Sequence, residues 1–557
     1  MAGMTHPMLT KHHDVLERAS QAIAERAFYS KYPESPSPRV YGETAAADGK
    51  AAFEALLGGE FTLDQPGATG TVATEDSPFG IALDVSYPYA DPAALVDAAR
   101  AAWPAWRDTD PATRAAVAVE ILDRVHANVF TMANAVHATT GQPFVMAFQA
   151  GGPHALDRAL EAVAYAYHEQ LRTPTTARWE KPNGKRDPLV MDKTFHVVPR
   201  GLSLVIGCNT FPTWNSYPGL FASLVTGNPV IVKPHPLAVL PLALTVRWAR
   251  EVLAEAGFDP NLVTLCLDGE GDTRAADLAT HPDVRIVDFT GSSQFGNWLE
   301  ANAVGKQVYT EKSGVNTVVI DSTDDFAGLC RNLAFTLCLY SGQMCTTTQA
   351  IFLPEGGIDT PDGHLSADEV VAGIATAVEK LTADDAKAVE VLGAIVTDAG
   401  ARRIDEAAGR GEVVLASRSI DHPAYRNARV RTPLLLKVTG ADTDAYGAEC
   451  FGPITFLVLT ADTDESLRRV DEVVSRQGAL TMGVYSTDPA VVDRAERVAL
   501  DTAVHLSCNL TGGVFVNQSA AFSDFHGSGG NPAANAALTD GAYVSNRFRV
   551  VQVRKPV

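Results

Sequence analysis

The chain has 557 residues with 66 acidic and 45 basic side chains, a formal charge of −21. Hydrophobic residues make up 46% and charged ones 20%, a globular balance that excludes a disordered chain, and the length predicts roughly two to four domains. An acidic chain repels polyphosphate, no stretch reaches the ~18 apolar residues that span a bilayer, and residues 1–20 lack the apolar core of a secretion signal. Nucleic acid and membrane are therefore excluded as partners, and a cytoplasmic protein is expected.

Apolar residues at helical spacing (Val15, Leu16, Ala19, Ile23, Ala27) predict a helix over 8–28, broken by Pro33, Pro36 and Pro38. His12 and His13 point about 100° apart on it, which disfavours a shared metal, and both read as solvated. Asp91-Pro92 and Asp110-Pro111 are helix starts; the second helix is expected to run to Thr140 and stop at Gly141. Residues 173–187 are polar and hold Pro and Gly, the mark of an excursion or hairpin.

From Pro199 short apolar runs alternate with helical ones. Strands are expected at 202–206, 230–232, 262–265, 285–289 and 317–320, then at 350–352, 433–436, 454–459, 480–485 and 513–517. Crossover helices are expected at 240–256 and 273–279. Near-continuous apolar strands spaced this way require parallel sheets covered on both faces. Two α/β units are expected to meet near 310–321.

Seven cysteines, with no CxxC pair, give neither a disulfide framework nor a zinc site of that type. Cys330 and Cys338 lie in an apolar run and read as core. Cys345, in SGQMCTTTQ, suits an exposed thiol at a loop-to-helix junction, where N–H dipoles would lower its pKa. Glu311, in TEKSGVN, precedes it by 34 positions and is a candidate general base. Gly291 and Ser292 follow a strand and open a helix, which suits either a phosphate turn or a simple helix cap. GEGDTR, from Gly269, lacks the third glycine of a dinucleotide fingerprint and is discounted.

These words, in this order, resemble the aldehyde dehydrogenase superfamily over about 91–517, and more closely the phenylacetic acid degradation proteins of the PaaN type. VPRGLSLVIGCNTFP, GNPVIVKP, FTGS, TEKSGVN, GQMC and ECFGP carry the resemblance, with GCNTFPTWN and FHGSGGNPAAN for the narrower group. It implies two doubly wound α/β domains plus a small β element. The expected division is an N-terminal extension (1–75), a cofactor-binding domain (76–310, with a β excursion near 175–199), a catalytic domain (311–520) and a tail with an oligomerisation strand (521–557). It further implies Cys345 as nucleophile, Glu311 as base for water, Lys233, Gly291, Ser292, Glu449 and Phe451 as cofactor residues, and no metal. The family's oxyanion asparagine falls on Thr210, with Asn209 shifted by one.

The lysine of VKPHP is followed by Pro236 where NAD-preferring relatives carry a ribose-binding glutamate. NADP is therefore expected to be accepted or preferred over NAD, with Lys233 facing its 2′-phosphate. The implied reaction is oxidation of a small-molecule aldehyde, a CoA-linked semialdehyde of phenylacetate breakdown, to the acid. A CoA-acylating dehydrogenase, a non-catalytic pathway scaffold and a cysteine hydrolase using His505 or His526 are the alternatives. His526 reads as an ordinary loop histidine. Pairing of the 185–199 segment with the terminal VSNRFRVVQV is expected to join subunits into a homodimer or homotetramer.

Overall fold

Five largely buried strands form the first sheet of the computed structural model, which describes residues 6–312 and 314–557. In spatial order they are Val263–Leu265, Val230–Lys233, Leu202–Ile206, Val284–Gly291 and Gln307–Lys312; Arg285 is their one exposed residue. All pairings are parallel. The chain leaves Leu202–Ile206 toward one side and returns on the other. A crevice therefore opens beyond the carboxyl ends of the strands, the place where doubly wound sheets bind ligands.

The second sheet has seven strands in the order Glu412–Leu415, Leu434–Thr439, Ile454–Thr460, Ala350–Pro354, Thr317–Ile320, Thr481–Tyr485 and His505–Cys508. All its pairs are parallel except the first. The expected α/β architecture is present, and the continuous apolar runs are its buried strands. Residues 513–517 are an exception, for they form no strand. There the Asn332 amide donates to the carbonyls of Gly512 (3.0 Å) and Val514 (2.8 Å), and Asn517 donates to Thr336 O at 3.2 Å. Side chains, not a ladder, hold that segment.

Aspartate caps set the helix starts as expected. Asp91 accepts from Ala93 N at 3.2 Å and Asp110 from Thr113 N at 2.9 Å, each with proline in the first turn. The helix expected to run from 111 to 140 is two, Pro111–Ala127 and Val129–Thr140. They are divided at Asn128, whose amide turns back to Arg124 O at 2.9 Å. The first helix, Pro7–Glu25, ends earlier than expected because Arg26 turns left-handed at φ 52°.

That first helix packs Leu16, Ala19 and Ile23 into the same apolar core as Val117, Ile121, Leu156 and Leu160. His12 is not solvated: it is buried against Glu120, with Nε2 2.6 Å from Oε2, while His13 stays exposed. The tail enters this core as well, through Phe522, Leu538, Tyr543 and Val544. Arg547 is fully buried and forks onto Asp288 of the first sheet at 2.7 and 2.6 Å, and Tyr543 Oη donates to Asp288 at 2.8 Å.

The expected excursion is a three-stranded antiparallel sheet in the order Phe548–Pro556, Arg186–Pro199, Thr176–Asn183. It leaves Leu189, Val550, Val551 and Val553 exposed. No described helix is long and apolar enough to cross a membrane.

Candidate active site

Cys345 is placed by the turn before it. Tyr340, Ser341 and Gly342 take positive φ in succession (53°, 50° and 64°), a conformation that side-chain-bearing residues hold only when their surroundings enforce it. The enforcement is visible. Ser341 Oγ donates to Gly393 O at 2.9 Å and Arg431 O at 3.1 Å, and a Cβ on Gly342 would meet Gly452 O at 2.6 Å. Past the thiol, Asn316 donates to Cys345 O at 2.7 Å and Thr347 O at 3.1 Å while accepting from Leu480 N and Thr481 N. The loop then enters the strand Ala350–Pro354, so no helix begins at the cysteine.

Glu311 stands near the carboxyl end of Gln307–Lys312. Both its oxygens accept from Asn215 Nδ2, at 3.3 and 3.2 Å, and Oε1 lies 3.1 Å from His526 Nε2. His526 Nε2 is in turn 3.8 Å from Cys345 Sγ. Thiol, imidazole and carboxylate offer ligand atoms all within 4.8 Å of one another. His526 is thus not an ordinary loop histidine. Its main chain exchanges hydrogen bonds with Leu538 (3.0 and 3.1 Å), its ring stands edge-on to Trp214 at 4.6 Å, and Ser519 Oγ is 3.5 Å from Nδ1.

Burial pushes the Cys345 thiol well above its ordinary value, and the neighbouring Glu311 carboxylate adds to the rise. The lowering expected from helix dipoles is absent because no helix starts there. Burial also presses the Glu311 carboxyl upward. The facing His526, with hydrogen bonds from His526, Cys345 and Asn215, outweighs it and leaves the pKa below the usual carboxylate value. The resting pair is a protonated thiol beside an ionised base. Cys208 is buried and pushed up to about 11, and Cys330 and Cys338 pack in the core of the second unit.

Two cavities meet at Cys345. One, about 290 Å³, is lined by Asn209, Thr210, Gly291, Ser292, Glu311, Glu449 and Phe451, so the sequence-named residues around it converge on one cleft. Ser292 Oγ accepts from Phe295 N at 3.3 Å and caps the helix Ser293–Asn302, while a Cβ on Gly291 would come within 2.7 Å of the Phe289 ring. Cap and cleft lining are thus the same residue. Arg403 Nη1 donates to Phe451 O at 2.7 Å. Thr210 Oγ1 reaches toward the Cys208 thiol at 4.0 Å, and the amide that contacts Glu311 belongs to Asn215, which sequence reasoning passed over although it follows Trp214 in the quoted GCNTFPTWN.

Lys233 closes the strand Val230–Lys233 and is buried. It is not left open to a phosphate: it forms an ion pair with Asp268, just past the neighbouring strand, and Asp268 Oδ1 is buried without a protein partner. The capped helix start, the glycine turn and this lysine–aspartate pair lie along the carboxyl ends of one parallel sheet. That donor set fits a nicotinamide dinucleotide, with anion-attracting N–H groups for pyrophosphate and an orphaned carboxylate oxygen for a hydroxyl.

The second cavity, about 620 Å³, lies on the other side of the thiol. Phe211, Trp214, Phe335, Leu339 and Met344 give it an apolar interior, and Glu34, His154 and Asp157 stand on its lining as well. Among the described lining residues there is no Lys or Arg. Phe28, Tyr29, Ser30, Pro33 and Glu34 supply part of the wall, so the segment after the first helix takes part in shaping this space.

A sequence profile described as the Aldehyde dehydrogenase family matches residues 86–547. An N-succinylglutamate 5-semialdehyde dehydrogenase of Burkholderia cenocepacia (strain HI2424) is 29% identical over 306 residues, 54% of this chain and 59% of the relative's length. The chain therefore spans under two thirds of that relative. The crystal structure of an NAD-dependent aldehyde dehydrogenase from Burkholderia multivorans is 56% identical and superposes with a TM-score of 0.98, covering 100% of both chains. A 1-pyrroline-5-carboxylate dehydrogenase from Thermus with bound NAD shares the fold at 20% identity, TM-score 0.74, covering 95% of this chain and 99% of the other.

Proposed function

We propose, since this chain belongs to the aldehyde dehydrogenase family, that it oxidises an uncharged, apolar aldehyde to the carboxylic acid with a nicotinamide dinucleotide as acceptor. The observation that carries the reading is the position of Cys345. Its sulfur stands where a dinucleotide-shaped cleft meets an apolar cavity, beside an ionised carboxylate and an imidazole.

The thiol is protonated at rest, so it must surrender its proton as it attacks, and Glu311 with His526 is the acceptor in reach. Attack gives a thiohemiacetal whose oxyanion requires donors. Asn209, Thr210 and Asn215 are the candidates around the cleft, and Asn215 already presents its amide toward the reacting groups. Bound in the cleft, the nicotinamide would accept the hydride. Gly291 and Ser292 would hold the pyrophosphate, Lys233 with Asp268 the ribose, and Glu449 with Phe451 the nicotinamide end. Glu311 then activates water to cleave the thioester. A retained water-activating base opposes the CoA-acylating and scaffold alternatives. The paired His526 makes a cofactor-free hydrolase the next reading, and the closing assay separates it.

The finer expectations are adjusted by the site. An aromatic acyl group suits the cavity, as phenylacetate breakdown would require, yet the lining offers no cation for the phosphates of CoA, so an unesterified aldehyde is favoured. The carboxylate of Asp268 beside Lys233 replaces the one missing at Pro236 and favours NAD over NADP. The exposed valines of the outer sheet support a homodimer or homotetramer. Seven unpaired cysteines suit a reducing compartment such as the cytoplasm.

The test follows reduced-nicotinamide absorbance with NAD and NADP against neutral aromatic, carboxylate-bearing and CoA-linked aldehydes. Neutral aldehydes are expected to turn over best, Cys345→Ala to abolish the signal, and Glu311→Gln to slow the first hydride transfer and then stall at the thioester. Turnover unaffected by Cys345→Ala, or hydrolysis of esters without any cofactor-linked oxidation, would overturn it.

A further inference from the structure

We propose that Cys345, His526 and Glu311 form a three-ligand Zn²⁺ site whose occupation reversibly silences the nucleophile. The silencing, though not the site, rests on the role of Cys345 given above.

Two of the three distances between ligand atoms approach those of a tetrahedral zinc centre. Zinc bound by sulfur at about 2.3 Å and by imidazole nitrogen at about 2.0 Å keeps those two atoms about 3.5 Å apart. Here Sγ and Nε2 are 3.8 Å apart. Nitrogen and carboxylate oxygen in such a centre are about 3.4 Å apart, and Nε2 and Oε1 lie 3.1 Å apart here. These two edges need shifts of only a few tenths of an ångström, the sulfur and the carboxylate oxygen lie within 4.8 Å of each other, and the cavity beside Cys345 offers the fourth position to water.

Charge and ligand type agree. One thiolate and one carboxylate neutralise the dication, so the buried complex carries no net charge, and His526 contributes a neutral lone pair. On binding, the thiol proton leaves to solvent and a zinc–sulfur bond replaces the S–H bond, while the ring proton on the Glu311 side moves from Nε2 to Nδ1, facing Ser519, so that Nε2 is free to ligate; no redox change is involved. A sulfur, nitrogen and oxygen set suits zinc and rejects the oxygen-seeking magnesium and calcium. The ligands are also held from behind. The Asn215 amide grips Glu311, and Ser519 Oγ lies 3.5 Å from His526 Nδ1. By contrast, the exposed cluster His13, Asp14 and Glu17 on the first helix has no such support.

Zinc chloride titrated calorimetrically into the metal-free full-length protein tests the site without turnover. One ion per chain is expected, with alkylation of Cys345 by iodoacetamide slowed at least about tenfold and restored by EDTA. His526→Ala should weaken binding at least about tenfold, whereas Cys508→Ser, which removes the exposed thiol, should leave it unchanged. Cobalt substitution should give a sulfur-to-metal charge-transfer band that Cys345→Ser removes, a readout that stands even if His526→Ala misfolds. Equal zinc affinity in a folded His526→Ala variant, zinc binding that leaves Cys345 unprotected, or no thiolate band would overturn the proposal. Zinc failing to bind while Cys345→Ala abolishes oxidation would sink the site alone; binding and protection with oxidation intact in Cys345→Ala would support the site and sink the catalytic reading.

Discussion

His526 and Glu311 are 215 residues apart in sequence and 3.1 Å apart in space, and the imidazole that joins them also faces the reactive sulfur. The contact is built by residues 531–535, which run beside the strand carrying Glu311. Lys312 N donates to Ala533 O at 2.6 Å, and Thr310 N to Asn535 Oδ1 at 2.8 Å.

If His526 carries protons for the thiol, His526→Gln, which keeps the size and a hydrogen bond but cannot shuttle a proton, should lower kcat by about 10²–10⁴-fold. KM for the aldehyde should move little. Stopped-flow measurement of the first turnover checks it; an unchanged first-turnover rate would show that the ring only fills space.

The Lys233–Asp268 pair predicts cofactor choice. Asp268→Ser removes a carboxylate that would face a 2′-phosphate and frees Lys233 to meet it. The ratio of NADP to NAD affinity, read from nucleotide-induced quenching of tryptophan fluorescence, should rise about tenfold or more, or ~1.4 kcal/mol. A ratio that does not move would separate Asp268 from the cofactor.

Asp157 links stability to pH. Burial pushes its carboxyl up to about 6, against hydrogen bonds from Ser30 Oγ (2.6 Å) and Lys31 N (2.9 Å) in the N-terminal segment. A carboxyl raised in the folded state binds its proton more tightly than in the unfolded chain. Its contribution is therefore full below about pH 4 and lost as pH rises through about 6, on the order of 3 kcal/mol. Asp157→Asn should gain stability relative to the parent by that amount between pH 4 and pH 7. Urea unfolding at both pH values measures it, and a pH-independent difference would contradict the assignment.

Arg547 is the tail's anchor. Arg547→Ala leaves Asp288 buried and without its fork of hydrogen bonds, which costs about 3–5 kcal/mol. A lower Tm in calorimetry is expected, together with looser packing of the tail, read as faster amide exchange at 531–547. Unchanged exchange there would mean that the tail is fixed by other contacts.

The parallel strands were legible because burial on both faces leaves an uninterrupted apolar run, and Cys345 and Glu311 were legible because a reactive pair needs particular residue types. The run at 513–517 misled because its apolar residues look like a strand, while the Asn332 amide that its carbonyls accept from, and the Thr336 carbonyl that its own Asn517 donates to, lie far away in sequence. His526 and Asp268 were not legible for the same reason. A histidine in a glycine-rich segment and an aspartate after a strand acquire meaning only from what the fold lays beside them. The acidity of the thiol was misjudged because it depends on burial and on Glu311, not on the local words around Cys345.

The order of synthesis gives the tail one more meaning. Glu311 and Cys345 leave the ribosome long before His526 does, so the nascent chain holds thiol and carboxylate before the imidazole. The imidazole meets Glu311 only once residues 531–535 lie along the Glu311 strand, so docking of the tail is the step that completes this cluster.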